Sequence, residues 1–134
     1  MVNFDLRELS APLEALRPEV DAAYELLEAK WNAVADQLRK LPIPCDVGYT
    51  FEEASYNQPD SYCRLEWRKW KGKKRICIVS CYLEYTPEGP EEAATVTPYD
   101  EWGGEQRVAM LRHVPKLFEA AVKQTKAFIA KTQE

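Results

Sequence analysis

The stretch VDAAYELLEAKWNAVADQLRKL, residues 20–41, places apolar side chains at alternating steps of four and three residues. Each residue of a helix turns the chain by about 100°, so side chains at this spacing line one side of the helix. Pro18 lies where a first helical turn accepts proline, and Pro42 and Pro44 end the pattern. The sequence therefore predicts a long helix bearing a helical stripe, which consists of Val20, Tyr24, Leu27, Trp31, Val34, Leu38 and Leu41.

On the C-terminal side of this helix the period changes from that of a helix to that of a strand. Tyr49 and Phe51 alternate with polar residues, as in a half-buried strand. Apolar residues alternate again from Cys63 to Trp67, and the β-branched and aromatic run RICIVSCYLEY occupies residues 75–85. A turn near Lys71-Gly72 separates these last two runs. The pattern predicts a β-hairpin.

The length of the hairpin turn decides which residues face each other. A two-residue turn would mix apolar and polar side chains on each face of the pair. A three-residue turn over residues 71–73 would collect the apolar side chains on one face, through the pairs Trp67 with Cys77, Leu65 with Val79, and Cys63 with Cys81. Because a single buried face specifies the register of a hairpin, we expect the three-residue turn.

The remaining segments complete the expected architecture. EASYNQPDS (53–61) and TPEGPEEA (86–93) read as loops, and ATVT (94–97) reads as a short edge strand. A second amphipathic helix opens near DEWGGEQ (100–106), and Pro115 should kink or restart it near His113. We predict one α+β domain over residues 1–134, with a long N-terminal helix, an antiparallel sheet of three to four strands and a C-terminal helix, the helices lying on one sheet face.

Charge is sorted into blocks along the chain, which has a net charge of −4. Residues 64–75 carry a net charge of +6, and residues 76–106 carry −7 with no basic residue at all. One interpretation is a polyanion or nucleic-acid site on the basic hairpin, formed by Arg64, Arg68, Lys69, Trp70, Lys71, Lys73, Lys74 and Arg75. The other is that the acidic flanks fold back and neutralise the hairpin within the molecule.

Residues for catalysis or metal binding are few. His113 is the only histidine, so it cannot complete a two-histidine metal site. The chain shows no secretory signal and no apolar run of membrane-spanning length, so we expect a cytoplasmic protein that does not enter a membrane. In that compartment the four cysteines should be reduced thiols. We predict no catalytic residues, no metal and no cofactor, and we consider an enzyme the less favoured class.

The helical stripe is longer than one helix needs to cover a small sheet. Either the two helices pack on one another, or part of the stripe serves a homodimer or another protein. The predicted layout is similar to that of small bacterial chaperone-like proteins that dimerise and hold an extended client. We therefore predict a small non-enzymatic protein-interaction module, with a candidate interface formed by Val20, Tyr24, Leu27, Trp31, Val34 and Leu38.

Overall fold

The structure is a computed structural model that describes residues 3–53 and 60–134. The N-terminal part is helical and is followed by an antiparallel sheet and then by further helix, which confirms the predicted α+β class. The main elements are α1 (Leu6–Ala15), α2 (Arg17–Lys40), β1 (Val47–Glu52), β2 (Tyr62–Trp70), β3 (Lys73–Thr86), β4 (Gly89–Pro98), α3 (Gly104–Met110) and α4 (Val114–Thr132).

The predicted long helix forms α2, and Pro18 lies in its first turn as expected. The helix α1 leads into α2 almost without interruption. Leu16, between them, keeps a right-handed helical backbone, and its carbonyl accepts the amide of Val20 at 3.0 Å. The two helices therefore follow one another with a break only at Leu16, and together they make up the N-terminal rod.

The four strands form an antiparallel meander in the order β1-β2-β3-β4. One face of this sheet carries Leu65, Trp67, Ile76 and Ile78, all buried. The C-terminal half of α2 and the first half of α4 cover this inner face, with Trp31, Leu38 and Leu117 fully buried against it. The helices thus lie on one sheet face, as predicted.

The predicted register of the β2–β3 hairpin is wrong by one residue. Trp67 pairs with Ile76, Leu65 with Ile78, and Cys63 with Ser80. The turn has two residues, Lys71 and Gly72, both with positive φ, which is the backbone that a tight hairpin turn requires. The prediction assumed a single buried face, whereas Cys77 and Val79 are buried on the outer face as well.

The predicted loop over residues 86–93 is also largely strand. β3 continues to Thr86 and β4 begins at Gly89, so only Pro87 and Glu88 lie between them. Gly89 has φ +115°, and the Thr86 hydroxyl donates to the Gly89 carbonyl at 2.7 Å. The ladder of β4 with β3 overrides the turn-forming composition of this segment, and the predicted ATVT strand forms the C-terminal part of β4.

The C-terminal helix restarts where the sequence predicts. A short 3-10 turn, Leu111–His113, separates α3 from α4, and Pro115 lies in the first turn of α4. Most of the predicted loop at 53–61 falls outside the described residues.

Candidate protein interface

The apolar face of the N-terminal rod lies in water. No residue of α1 is buried, although its leucines recur at helical spacing. Leu13 is 72% exposed and Leu9 is 58% exposed. This pattern continues into α2, and together the side chains form an exposed stripe, which consists of Leu6, Leu9, Leu13, Leu16, Val20 and Tyr24.

The exposed stripe is the N-terminal continuation of the stripe that fills the core. From Trp31 onward the same side of α2 is buried against the sheet. The eighteen steps from Leu6 to Tyr24 correspond to about 27 Å of helix at 1.5 Å per residue. Amphipathic helices normally bury such a face, and a bare apolar surface of this length is typical of an interaction site.

A groove runs beside the exposed stripe, between α2 and α3. Its volume is about 490 Å³. Tyr24 lies against Gly104 so closely that a Cβ there would be 2.9 Å from the tyrosine hydroxyl. The groove is lined mainly by small and apolar residues: Val20, Ala23, Tyr24, Leu27, Gly104, Glu105, Val108 and Ala109.

The candidate interface residues of α2 fall into two groups. Val20 and Tyr24 are about half exposed, and Leu27 is partly buried. Trp31 and Leu38 are fully buried in the core, and Val34 packs against it. The sequence pattern spans both groups, because a core-facing side chain and an interface side chain require the same spacing along a helix.

The basic hairpin divides its predicted site residues between the two faces of the sheet. Arg64, Arg68, Trp70, Lys73 and Arg75 alternate onto the outer face. Lys69 and Lys74 pair with each other on the inner side, and Lys71 lies in the turn. The eight residues therefore do not form one surface.

Acidic residues pair with four of the seven cations of this hairpin. Glu66 lies between Arg64 and Arg68, with nitrogen–oxygen distances of 2.9 and 3.3 Å. Arg75 lies 3.6 Å from the carboxylate of Asp100. All three arginines are largely shielded from water by their own fold.

Asp46, which precedes β1, contacts the turn end of the hairpin. Its carboxylate accepts the Lys74 ammonium at 2.8 Å and the Lys69 amide at 3.0 Å. Burial alone would raise the pKa of Asp46, but these two hydrogen bonds and the positive charges of Lys74 and Arg68 together lower the pKa. Asp46 thus stays ionised and holds a lysine of the hairpin.

Trp70 lies at the hairpin tip between two cations. The Arg68 guanidinium and the Lys71 ammonium each lie within 6 Å of its ring centre. Both distances fit cation–π contacts. In a nucleic-acid site the Trp70 ring would be the one to stack on a base. Here the ring already contacts two cations of its own chain.

His113 contacts aromatic rings. Its ring centre lies 5.2 Å from that of Phe51 and 5.8 Å from that of Tyr49. Burial, with the nearby cations Arg112 and Lys116, lowers its pKa. A hydrolytic site would need an acid to orient this histidine. Among the described residues, its hydrogen-bond contact is with Arg112.

The four cysteines carry free thiols, and Cys63 and Cys81, on neighbouring strands, face opposite sides of the sheet. Cys77 is fully buried on the outer sheet face, and this burial raises the pKa of its thiol to about 11. A thiol with so high a pKa is a poor nucleophile. Among residues 3–53 and 60–134, no group of three or more histidine, cysteine or acidic side chains is placed to hold a metal ion.

Sequence reasoning missed two features of the interface region. The segment LSAPLEALR is visibly amphipathic, but its length gave no sign that α1 would stand clear of the sheet. The length of β4 was missed because the turn-forming residues Pro90 and Gly89 mask the strand. In both cases the deciding information is tertiary.

Comparison with known proteins gives no match to a family model, a curated protein or a solved structure. In the described part of the chain, every helix is too short or too polar to cross a membrane. The arguments about function therefore depend on the surfaces of this molecule.

Proposed function

We propose that the protein is a small, non-enzymatic interaction module that dimerises through the exposed stripe. The observation that carries this proposal is the bare apolar face of α1 and the start of α2. A ten-residue helix is only marginally stable in water by itself, and α1 buries no side chain in its own fold. A partner that covers the stripe would supply the missing stabilisation.

The exposed stripe is complementary to itself when two copies run antiparallel. The leucines of α1 follow one another at steps of three and four, at positions 6, 9 and 13. Positions 27, 24 and 20 of α2 follow the same steps in the reverse direction. Antiparallel rods would thus place Leu13 over Val20, Leu9 over Tyr24 and Leu6 over Leu27.

In this arrangement α1 of one copy would lie in the groove between α2 and α3 of the other. The two-fold symmetry would form the contact twice, which closes the assembly as a dimer. Burial of a leucine or valine removes about 60–120 Å² of surface, so the six half-bare side chains of the stripe supply roughly 300–400 Å² per copy. Specific interfaces bury about 800 Å² per partner, and the flanking polar atoms of two rods supply the remainder.

The cytoplasm is the proposed location, because four unpaired thiols suit a reducing compartment. The module itself would act by holding another protein.

Cross-linking across the proposed contact tests the dimer directly. We expect a mixture of Leu13→Cys and Val20→Cys chains to form a mixed disulfide-linked species of twice the 15.5 kDa chain mass, because antiparallel rods bring these positions together. Leu26 is 57% exposed on the same helix but lies off the stripe. The matched control is therefore Leu13→Cys mixed with Leu26→Cys. Equal yields from the two mixtures would contradict the proposed contact.

Polyanion binding by the basic hairpin is the alternative function. Its support is the exposure of Lys69, Lys71 and Lys73, while the ion pairs of the arginines oppose it. With a net charge of −4, we expect the protein to give no gel shift of single-stranded DNA at physiological salt. A salt-sensitive shift that the triple change Lys69→Glu, Lys71→Glu and Lys73→Glu removes would support this alternative.

A further inference from the structure

The two edges of the sheet are treated differently. At β1 the side-chain amide of Gln124, from α4, bonds to the backbone of Gly48 in both directions. Its oxygen accepts the Gly48 amide at 3.1 Å, and its nitrogen donates to the Gly48 carbonyl at 2.6 Å. The glutamine thus occupies backbone groups that another strand would need, and α4 covers this edge.

The other edge, β4, has no such cover. Among the described residues, β4 pairs with β3 on one side and no strand lies on the other. Its ladder with β3 runs from Gly89 to Pro98 without a bulge. Proteins usually protect an edge with charge, proline or a bulge. In β4 the prolines and charged residues lie at the two ends of the strand, at Pro90, Glu91, Glu92 and Pro98. Residues 93–97 contain no proline, no charged residue and no bulge.

The segment that forms this edge carries charge of one sign. Residues 76–106, which include most of β3 and all of β4, carry seven acidic side chains and no basic one. Most of the basic block lies nearer the β2–β3 turn, and its Arg64, which is in register with Val79 and Val96, is paired with Glu66. An added strand would therefore meet a negative field, strongest near Glu91 and Glu92.

A recess beside the β4 edge is also acidic. It is about 450 Å³ in volume, and the acidic residues Asp60 and Glu92 are among those that line it. Two partly exposed tyrosines, Tyr62 and Tyr82, also line it. Carboxylates and tyrosine faces together favour a lysine or arginine side chain, through ion pairing and cation–π contact.

We propose that β4 accepts an extended, lysine- or arginine-bearing segment of a partner protein as a fifth strand. Backbone hydrogen bonds along residues 93–97 provide the binding, and the acidic recess selects a cationic side chain of that segment. This surface is separate from the exposed stripe, so it deepens the proposed interaction module without depending on the dimer contact.

Fluorescence anisotropy with synthetic peptides tests this assignment. The probe is a labelled ten-residue peptide of alternating lysine and valine. The controls are the same length of alternating glutamate and valine, and a lysine–valine peptide with prolines at two central positions. We expect saturable binding of the lysine–valine peptide, at least tenfold weaker binding of the proline-interrupted peptide, and no binding of the acidic peptide.

Variants of the chain locate the site. The double change Glu91→Lys and Glu92→Lys should weaken binding of the lysine–valine peptide at least tenfold, whereas Glu119→Lys on α4 should leave it unchanged. Ala93→Pro and Ala94→Pro are neighbours whose amides point to opposite sides of β4. Proline at the position whose amide faces outward removes no hydrogen bond to β3, so that variant should keep the melting temperature of the unchanged protein. The same variant should lose peptide binding, because the outward amide is the one that the peptide would bond.

Three results would overturn the assignment. They are absence of binding to the unchanged protein, equal binding of the proline-interrupted peptide, and equal binding by the folded proline variant. A fourth result would show that a second copy of this chain, and not a partner peptide, occupies the β4 edge. If a chain with a disrupted stripe still dimerises and the folded proline variant does not, β4 pairs with β4 of another copy, and the peptide assignment is wrong. Peptide binding should persist in a chain with a disrupted stripe. That result would show that the β4 site does not depend on the dimer contact.

Discussion

The double variant Leu9→Glu/Leu13→Glu is expected to be a monomer under conditions in which the unchanged protein is a dimer. Each dimer would lose four leucines from the proposed contact. At about 1.5 kcal/mol for each buried leucine, the loss is roughly 6 kcal/mol, which corresponds to about a ten-thousandfold weaker association. Both side chains already lie in water in the single chain, so its own fold should be intact.

The control carries the same added charge at two exposed apolar positions off the stripe. Leu26 is on α2, and Val122 is on α4, where it lines a second apolar groove with Leu41 and Phe118. Leu26→Glu/Val122→Glu should remain a dimer. Light scattering of both variants at matched concentration makes the comparison. If the control variant were a monomer and the stripe variant a dimer, the dimer contact would lie at the α4 groove and not at the exposed stripe.

Replacing Trp31 with alanine is expected to cause the largest loss of stability. Its side chain is fully buried, its ring meets that of Trp102 edge to face at 5.0 Å, and its indole nitrogen donates to the Arg107 carbonyl at 3.0 Å. Tryptophan-to-alanine changes in a core cost about 3–5 kcal/mol. The carbonyl of Arg107 would also lose its partner, at a further cost of about 1 kcal/mol or more.

Urea denaturation measures this loss, and Trp70 provides the matched control. Trp70 is only partly buried at the hairpin tip, so Trp70→Ala should lower the free energy of unfolding by no more than about 1 kcal/mol. Trp31 joins α2 to the start of α3, and the groove of the proposed interface lies one turn away. If Trp31→Ala were as stable as Trp70→Ala, the described packing of α2 would be wrong.

The helices were predictable because their stripes repeat over many residues. Trp31 and Leu38 are placed correctly by period alone. The hairpin register was not predictable in the same way, because β3 is buried on both faces from Ile76 to Val79. A strand with apolar residues at every position carries no alternation from which a register can be read.

The candidate surfaces were predictable only in part. The charge blocks were visible in the sequence, but the contacts of Asp46 and Asp100 with the basic hairpin join residues far apart in the chain. The spacing of apolar residues also could not reveal where α2 extends beyond the sheet. Exposed Tyr24 and buried Trp31 belong to the same helical stripe, so their spacing does not distinguish them. Exposure depends on what covers a residue, and that is a property of the whole fold.

The mass of the unchanged protein in solution, measured by light scattering over a hundredfold range of concentration, tests the central claim most directly. The proposed contact predicts a species of twice the 15.5 kDa chain mass at the upper concentrations, giving way to the single chain on dilution. A mass of 15.5 kDa throughout the range would contradict it.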